Sequence, residues 1–225
     1  MSLPPRAAVF DLDGTLADTA PDLIGAANAL LDEAGLPRLD PAAARKTAGR
    51  GGKALIAQGF AAAGRPQTAE EIDALFPAYL ARYEACMTDE STLFPGVEAA
   101  LDRLAAAGWR LGVCTNKPER LAHLFLERTG LAPRFQAMFG ADTLPVRKPN
   151  PRHLLATVEA LGAAPERSVL IGDTITDRDA ARNAEMRVVL VSFGYALQPF
   201  DELAPDALID HFDALPETLA ALGFD

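Results

Sequence analysis

The run Ala7-Ala8-Val9-Phe10-Asp11-Leu12-Asp13-Gly14-Thr15 decides how this chain is read. Its first four residues are apolar and continuous, the pattern of a short strand buried on both faces. The strand ends at an aspartate. Side chains alternate along an extended segment, so residues two apart point the same way. Phe10 and Leu12 then face the core while Asp11 and Asp13 face outward together, and Gly14 lets the chain turn sharply behind them. Two adjacent carboxylates repel, which is costly without a cation and useful with one. One can attack as a nucleophile while the other moves a proton. Taken alone, the pair is better explained as an Asx-type turn that closes a strand.

Further apolar runs repeat the theme. Arg110–Cys114 ends at Thr115, residues 168–171 end at Gly172-Asp173, and residues 188–191 and Ala207–Ile209 supply two more strand candidates. Helical spacing fills the gaps. Val97, Leu101 and Leu104 recur before Gly108, Leu121, Leu124 and Phe125 before Gly130, and Leu154, Leu155, Val158 and Leu161 before Gly162. Strands alternating with helices predict an α/β core, a Rossmann-like parallel sheet with helices on both faces. Residues 18–92 break the alternation. They carry helical segments only, at 21–34, 41–47, 53–63 and 69–87, punctuated by glycines. The expected organisation is a catalytic core of residues 1–17 and 93–225 with an inserted all-α cap domain of residues 18–92.

Composition narrows the function. The 225 residues are 49% hydrophobic, enough for a core domain and a small second one. No stretch approaches the roughly 18–20 uninterrupted apolar residues that span a bilayer. Residues 1–6 lack the apolar segment and cleavage site of a signal peptide, and Cys86 and Cys114 suggest no disulfide framework, so a cytoplasmic protein is expected. The formal net charge is −10, which repels nucleic acid and anionic lipid and excludes both as expected partners. A phosphate substrate would then need a local positive island of metal and placed cations. The histidines, His123, His153 and His211, are too scattered for a zinc set, and no Gly-x-Ser-x-Gly elbow is present.

Polar residues gather at the carboxyl ends of the predicted strands, the edge where open α/β sheets bind ligands. Thr115-Asn116 offers a hydroxyl and backbone N–H groups suited to phosphate oxygens, or equally a helix N-cap. Lys148, ahead of Pro149 and a helix start near Pro151, is either a fixed ammonium facing the carboxylates or a solvated loop lysine. Asp173 and Asp177 are oxygen donors suited to a hard ion such as Mg²⁺. Alternatively, Thr176 caps the following helix, with Asp177 and Asp179 in its first turn.

Together these motifs resemble those of the haloacid dehalogenase-like hydrolases, over essentially the whole chain. Asp11-Leu12-Asp13-Gly14-Thr15 looks like their first motif, Thr115-Asn116 their second, Lys148 their third, and Gly172-Asp173-x-x-x-Asp177 their fourth. The resemblance implies an Mg²⁺-dependent phosphomonoester hydrolase acting on a small phosphorylated metabolite, as a monomer or homodimer. Asp11 would form an aspartyl-phosphate and Asp13 would serve as general acid and base. Asp11, the backbone carbonyl of Asp13 and Asp173 would hold the metal, with Asp177 assisting mostly from behind. Thr115, Asn116 and Lys148 would hold the phosphoryl group.

Substrate choice is expected in the cap, where Arg50, Gly51, Gly52 and Lys53 form a glycine-rich loop with two cations, or simply a turn between helices. Within the family, Asp18-Thr19-Ala20-Pro21-Asp22-Leu23, Leu93-Phe94-Pro95-Gly96-Val97 and Thr115-Asn116-Lys117-Pro118 most resemble bacterial phosphoglycolate phosphatases. The implied substrate is 2-phosphoglycolate. Phosphatases of sugar acids such as N-acetylmuramate 6-phosphate, and a sugar phosphomutase, are the alternatives. A phosphonate hydrolase would require Lys53 as a Schiff base. A signalling receiver domain would place its acceptor and metal aspartates in the reverse order.

Overall fold

The structure is a computed structural model and describes residues 3–224. The chain forms two compact units, one of residues up to Ala17 with those from Leu93 onward, the other Asp18–Thr92. The second unit holds α1 (Ala20–Glu33), α2 (Pro41–Ala48), α3 (Gly52–Ala62) and α4 (Ala69–Cys86). The strands are β1 (Ala7–Phe10), β2 (Ala17–Asp18), β3 (Thr92–Leu93), β4 (Arg110–Cys114), β5 (Ala137–Phe139), β6 (Ser168–Gly172), β7 (Arg187–Val191) and β8 (Ala207–Ile209). The remaining helices are α5 (Val97–Ala106), α6 (Glu119–Arg128), α7 (Pro151–Ala160), α8 (Ile175–Asn183), α9 (Phe200–Leu203) and α10 (Leu215–Ala221).

Six strands make one parallel sheet in the order β5-β4-β1-β6-β7-β8. Counted along the core alone, that is the doubly wound order 3-2-1-4-5-6. The chain leaves β1 to build one half of the sheet and returns beside it to build the other, so the order reverses between β1 and β6. Ala7 and Val9 pack into a cluster with Leu170, Val188 and Leu190, covered by Leu154 and Val158 of α7 and Ala180 and Ala181 of α8. Ala8 and Phe10 point to the opposite face and are equally buried. A strand with both faces covered has no use for polar alternation, which is why β1, β4, β6 and β7 read as continuous apolar runs. Each large apolar side chain so buried contributes about 1.5–3 kcal/mol.

The α/β expectation holds, with two departures. β5 carries no readable signal because it is a three-residue edge strand, half-buried throughout. Its place is set by its neighbour, since the Gln136 N–H donates to the Leu111 carbonyl at 2.9 Å and the Leu111 N–H donates to the Gln136 side chain at 2.8 Å. The predicted strands at 168–171 and 188–191 are each one residue longer, through pairing of Gly172 with Leu190 and of Arg187 with Val169.

In the helical unit the alanines are packing residues. Ala26 and Ala27 of α1 and Ala44 and Ala48 of α2 are buried, which lets helices approach closely. Tyr79 of α4 donates its hydroxyl to the Leu23 carbonyl at 3.2 Å. Asp22, buried in the first turn of α1, gathers the returning chain. Its carboxylate accepts from the Glu90 N–H at 3.0 Å, the Ser91 N–H at 2.9 Å and the Ser91 hydroxyl at 2.6 Å. The negative charge also suits a helix N-terminus. Asp22→Ala is expected to cost about 1.5–3 kcal/mol, read as a lowered urea midpoint, whereas Asp201→Ala, exposed in the short helix α9, should leave it nearly unchanged.

Candidate active site

Asp11, Asp173 and Asp177 converge at the point where the strand order reverses, each with a carboxylate oxygen within 4.8 Å of the others. The backbone sets this up. The Asp11 N–H continues the β1–β6 ladder by donating to the Ile171 carbonyl at 2.9 Å. That leaves the Asp11 side chain at the sheet edge, where Oδ1 also accepts the Leu12 N–H at 2.7 Å.

Lys148 joins the cluster from the loop before α7. Its Nζ lies 2.9 Å from Asp11 Oδ2 and 2.6 Å from Asp177 Oδ1, and its side chain is 0% exposed. The solvated-loop alternative is therefore wrong, because the ammonium is fully buried between two carboxylates. Burial alone would pull the Lys148 amine down, but Asp11 and Asp177 outweigh it and hold the amine above its ordinary range.

The three carboxylates respond differently to the same surroundings. Burial pushes Asp11 up to about 6 against the opposing pull of Lys148. Burial also pushes Asp173 well above the ordinary carboxylate range, reinforced by the charges of Asp177 and Asp11. Asp177 is buried too, yet Lys148 and Thr174 outweigh burial and hold it low. Asp177 Oδ2 accepts the Thr174 hydroxyl at 2.8 Å, the Thr174 N–H at 3.1 Å and the Asp173 N–H at 3.3 Å. The cap of α8 is thus Thr174, in a reciprocal arrangement with Asp177, and the alternative of Thr176 as cap is wrong. Thr176 lies within the helix, one residue beyond its start at Ile175.

Asp173 is held by one main-chain and one hydroxyl donor. The Tyr195 N–H donates to its Oδ2 at 2.7 Å, and the Thr15 hydroxyl to its Oδ1 at 3.3 Å. Two glycines make room for it. Gly14 has φ +80°, a conformation L residues rarely adopt, and a Cβ there would stand 2.3 Å from Asp173 Oδ2. A Cβ on Gly194 would stand 2.3 Å from Asp173 Cβ. Phe193 packs between Phe94 and Phe212, with ring centroids at 4.5 and 5.9 Å.

Thr115 is buried at the end of β4. Its N–H donates to the Phe139 carbonyl at 3.0 Å, and its hydroxyl oxygen accepts the Lys117 N–H at 3.2 Å. Asn116 is exposed and donates its amide to the Lys148 carbonyl at 3.0 Å. Neither residue caps α6, whose N-cap is Pro118. That alternative fails because the chain makes a further turn before the helix begins.

Two residues at the site escaped the sequence reading. Lys117 is buried and places Nζ 2.8 and 3.2 Å from the two carboxylate oxygens of Asp13. Its signal was its place two residues after Thr115. His153 is buried behind Lys148. Its Nδ1 accepts the Lys148 N–H at 3.2 Å, which leaves Nε2 to donate to the Gly140 carbonyl at 2.9 Å. Burial lowers its pKa, in keeping with that neutral tautomer. Cys114 beside it is a core residue, its thiol pushed up to about 12 by burial.

The cap-loop candidates lie in the helical unit. Arg50 is exposed, and its side chain makes no hydrogen bond or ion pair among the described residues. Gly51, with φ +84°, precedes α3 as its N-cap. Gly52 opens α3 where a Cβ would stand 2.1 Å from the Tyr79 ring. Lys53 is engaged within its own unit. Its Nζ lies 2.6 Å from Asp73 and 5.1 Å from the Phe76 ring centroid.

Carboxylates and a buried ammonium thus meet at the switch point of a doubly wound sheet, the edge where such sheets bind ligands. The chain belongs to the haloacid dehalogenase-like hydrolases, whose family pattern matches residues 8–191. It is 46% identical over 213 residues to the phosphoglycolate phosphatase of Caulobacter vibrioides, covering 95% of this chain and 90% of that one. The crystal structure of a predicted phosphoglycolate phosphatase from Haemophilus somnus superposes with a TM-score of 0.87 at 28% identity, over 95% of this chain and 97% of that one. CbbY from Rhodobacter sphaeroides, crystallised in complex with phosphate, gives 0.77 at 26% identity, over 94% and 96%. No helix among the described residues is long and apolar enough to cross a membrane.

Gly194→Ala is expected to displace Asp173 or the Gly14 turn. Overpacking of this kind costs about 1–3 kcal/mol, which in a chain of this size lowers the melting temperature by roughly 2–4 °C per kcal/mol. Calorimetry should show that drop, and turnover should fall with it.

Proposed function

We propose that the protein is an Mg²⁺-dependent phosphomonoesterase working through a phosphorylated Asp11, with 2-phosphoglycolate as its substrate. The observation that carries this reading is the charge of the cluster. Two buried carboxylates, Asp173 and Asp177, and the partly exposed Asp11 face one buried ammonium, a formal excess of two negative charges. A hard dication offsets that excess and takes oxygen donors of this kind. Asp11 and Asp173 would hold it with the backbone carbonyl of Asp13. Asp177, whose oxygens already accept from Lys148, Thr174 and Asp173, supports them from behind. When bound, the ion offsets the repulsion between carboxylates and phosphoryl oxygens.

The residues divide the reaction as follows. Asp11 Oδ attacks phosphorus while Asp13, carrying a proton, gives it to the departing ester oxygen as the P–O bond breaks. Asp13, now a carboxylate, takes a proton from water whose oxygen attacks the phosphoryl group. Phosphate leaves and Asp11 is regenerated. Thr115 accepts from the Lys117 N–H, so its hydroxyl proton is available to a phosphoryl oxygen. Lys148 supplies the fixed positive charge. Asn116 supports the phosphoryl site by tying β4 to the Lys148 loop. Arg50, with Gly51 and Gly52 shaping the loop, would receive the substrate carboxylate. Lys53 serves only after leaving Asp73.

The phosphoglycolate assignment draws on the names of relatives such as the Caulobacter vibrioides enzyme. The test is kcat/KM over a panel of phosphomonoesters with Mg²⁺. Phosphoglycolate should stand at least tenfold above generic esters, and a flat profile would remove that substrate while leaving the chemistry. Asp11→Asn is expected to abolish turnover, and chelation by EDTA should do so reversibly. Retained turnover in Asp11→Asn would end the covalent reading. Arg50→Ala should lower selectivity for phosphoglycolate over a neutral ester, mainly through KM.

A further inference from the structure

The proposed chemistry uses one buried lysine and leaves a second without a task. Lys117 lies in the turn between β4 and α6, its side chain 2% exposed. Its main chain is pinned on both sides. The N–H donates to the Thr115 hydroxyl at 3.2 Å, and the carbonyl accepts the Ala141 N–H at 2.9 Å. The ammonium lies 5.8 Å from the Phe125 ring centroid and reaches both oxygens of Asp13. Asp13, by contrast, sits on a turn with its side chain 21% exposed. A short carboxylate there has several staggered rotamers open to it, and Lys117 is the described partner that selects among them.

Resting on the reading of Asp13 as acid and base, we infer that Lys117 is a positioning residue of the reaction. Its ammonium fixes the Asp13 carboxylate in the rotamer from which it exchanges a proton, first with the departing ester oxygen and then with water. The two lysines therefore divide the two carboxylates of the first motif. Lys148 holds the nucleophile through Asp11 Oδ2, and Lys117 holds the proton carrier. Proton transfer demands heavy-atom approach within a few tenths of an ångström of hydrogen-bond distance. A rigid buried anchor meets that demand better than a solvated partner, since ordering an exposed side chain costs rotamer entropy at each turnover.

The test exploits the leaving group. The kcat/KM value covers steps up to its departure. An alkyl oxygen needs a proton to depart, and p-nitrophenolate does not. Lys117→Met keeps the length of the stem and removes the charge. On an alkyl ester such as glycerol 2-phosphate, kcat/KM should fall on the order of 10²-fold. On p-nitrophenyl phosphate it should fall less than about fivefold, because the contribution of general acid catalysis is absent there. Lys117→Arg should recover much of the alkyl activity. Asp13→Asn should discriminate between the esters in the same way, and adding Lys117→Met to it should change the ratio no further. Equal loss on both esters in Lys117→Met, with the circular dichroism of the folded protein retained, overturns the inference. If Asp13→Asn itself fails to discriminate, the acid–base reading of Asp13 falls. If it discriminates and Lys117→Met does not, the role of Lys117 alone falls. Should Lys117→Met not fold, Lys117→Gln is read on the same pair of esters with the same criteria.

Discussion

The contact on which the site depends is the bridge from the buried Lys148 ammonium to Asp11 and Asp177. A lone ammonium in that position would be discharged, and three carboxylates without it would not tolerate one another. Each partner makes the other affordable. The bridge also orders the charges. Asp177 is kept ionised because Lys148 and Thr174 meet it directly, whereas Asp173, held by the Tyr195 N–H and the Thr15 hydroxyl, is driven toward its neutral form. The cluster is therefore graded, with a permanent anion at the back and responsive carboxylates in front. Removing one partner of a buried pair costs about 3–5 kcal/mol because the other is left uncompensated. That cost measures the charge left unpaired, not a net gain to the fold from the pair.

Topology explains why these groups meet at all. In the order β5-β4-β1-β6-β7-β8 the neighbours of β1 are β4 and β6. The two strands that flank Asp11 are those whose ends carry Thr115 and Asp173. Lys148 comes from the connection between β5 and β6, which must pass this edge to enter β6 in parallel. His153 keeps that connection in place by accepting the Lys148 N–H while holding Gly140, the residue just past β5. Around the charged cluster stand main-chain groups, the Thr15 and Thr174 hydroxyls and a neutral imidazole, which add rigidity without adding charge.

Much of this was legible in the sequence, and the reason is physical. Doubly covered strands produce continuous apolar runs, so β1 and β4 are readable to the residue and β6 and β7 nearly so, while β8, an edge strand with Leu208 exposed, is read only from its short apolar run. Polar residues at the ends of such runs can only be at the sheet edge, which placed Asp11, Thr115 and Asp173 in one neighbourhood. What escaped had no period or no chemistry of its own. β5 is too short and too exposed to show alternation. The Tyr195 N–H acts through its backbone, which no side-chain pattern reveals. Lys117 and Lys148 look alike in sequence, each a lysine before a proline. Only packing distinguishes them from solvated loop residues, since both are buried against carboxylates. The cap of α8 was misplaced for a related reason, since Thr174 and Thr176 are both good capping residues and the strand end at Gly172 decides which one meets the first turn.

The helical loop shows how a sequence motif divides once packing is known. Arg50, Gly51, Gly52 and Lys53 read as one anion-receiving turn. Gly52 lies against the Tyr79 ring, which leaves no space for a side chain, and Lys53 is spent on Asp73 and Phe76. Those two positions are explained by the stability of α3 against α4. Arg50 alone remains exposed and unpaired among the described residues. An unpaired guanidinium loses little in meeting a carboxylate, because no existing ion pair must be broken. On the proposed reading, Arg50 is the residue of this loop left to meet an acidic substrate.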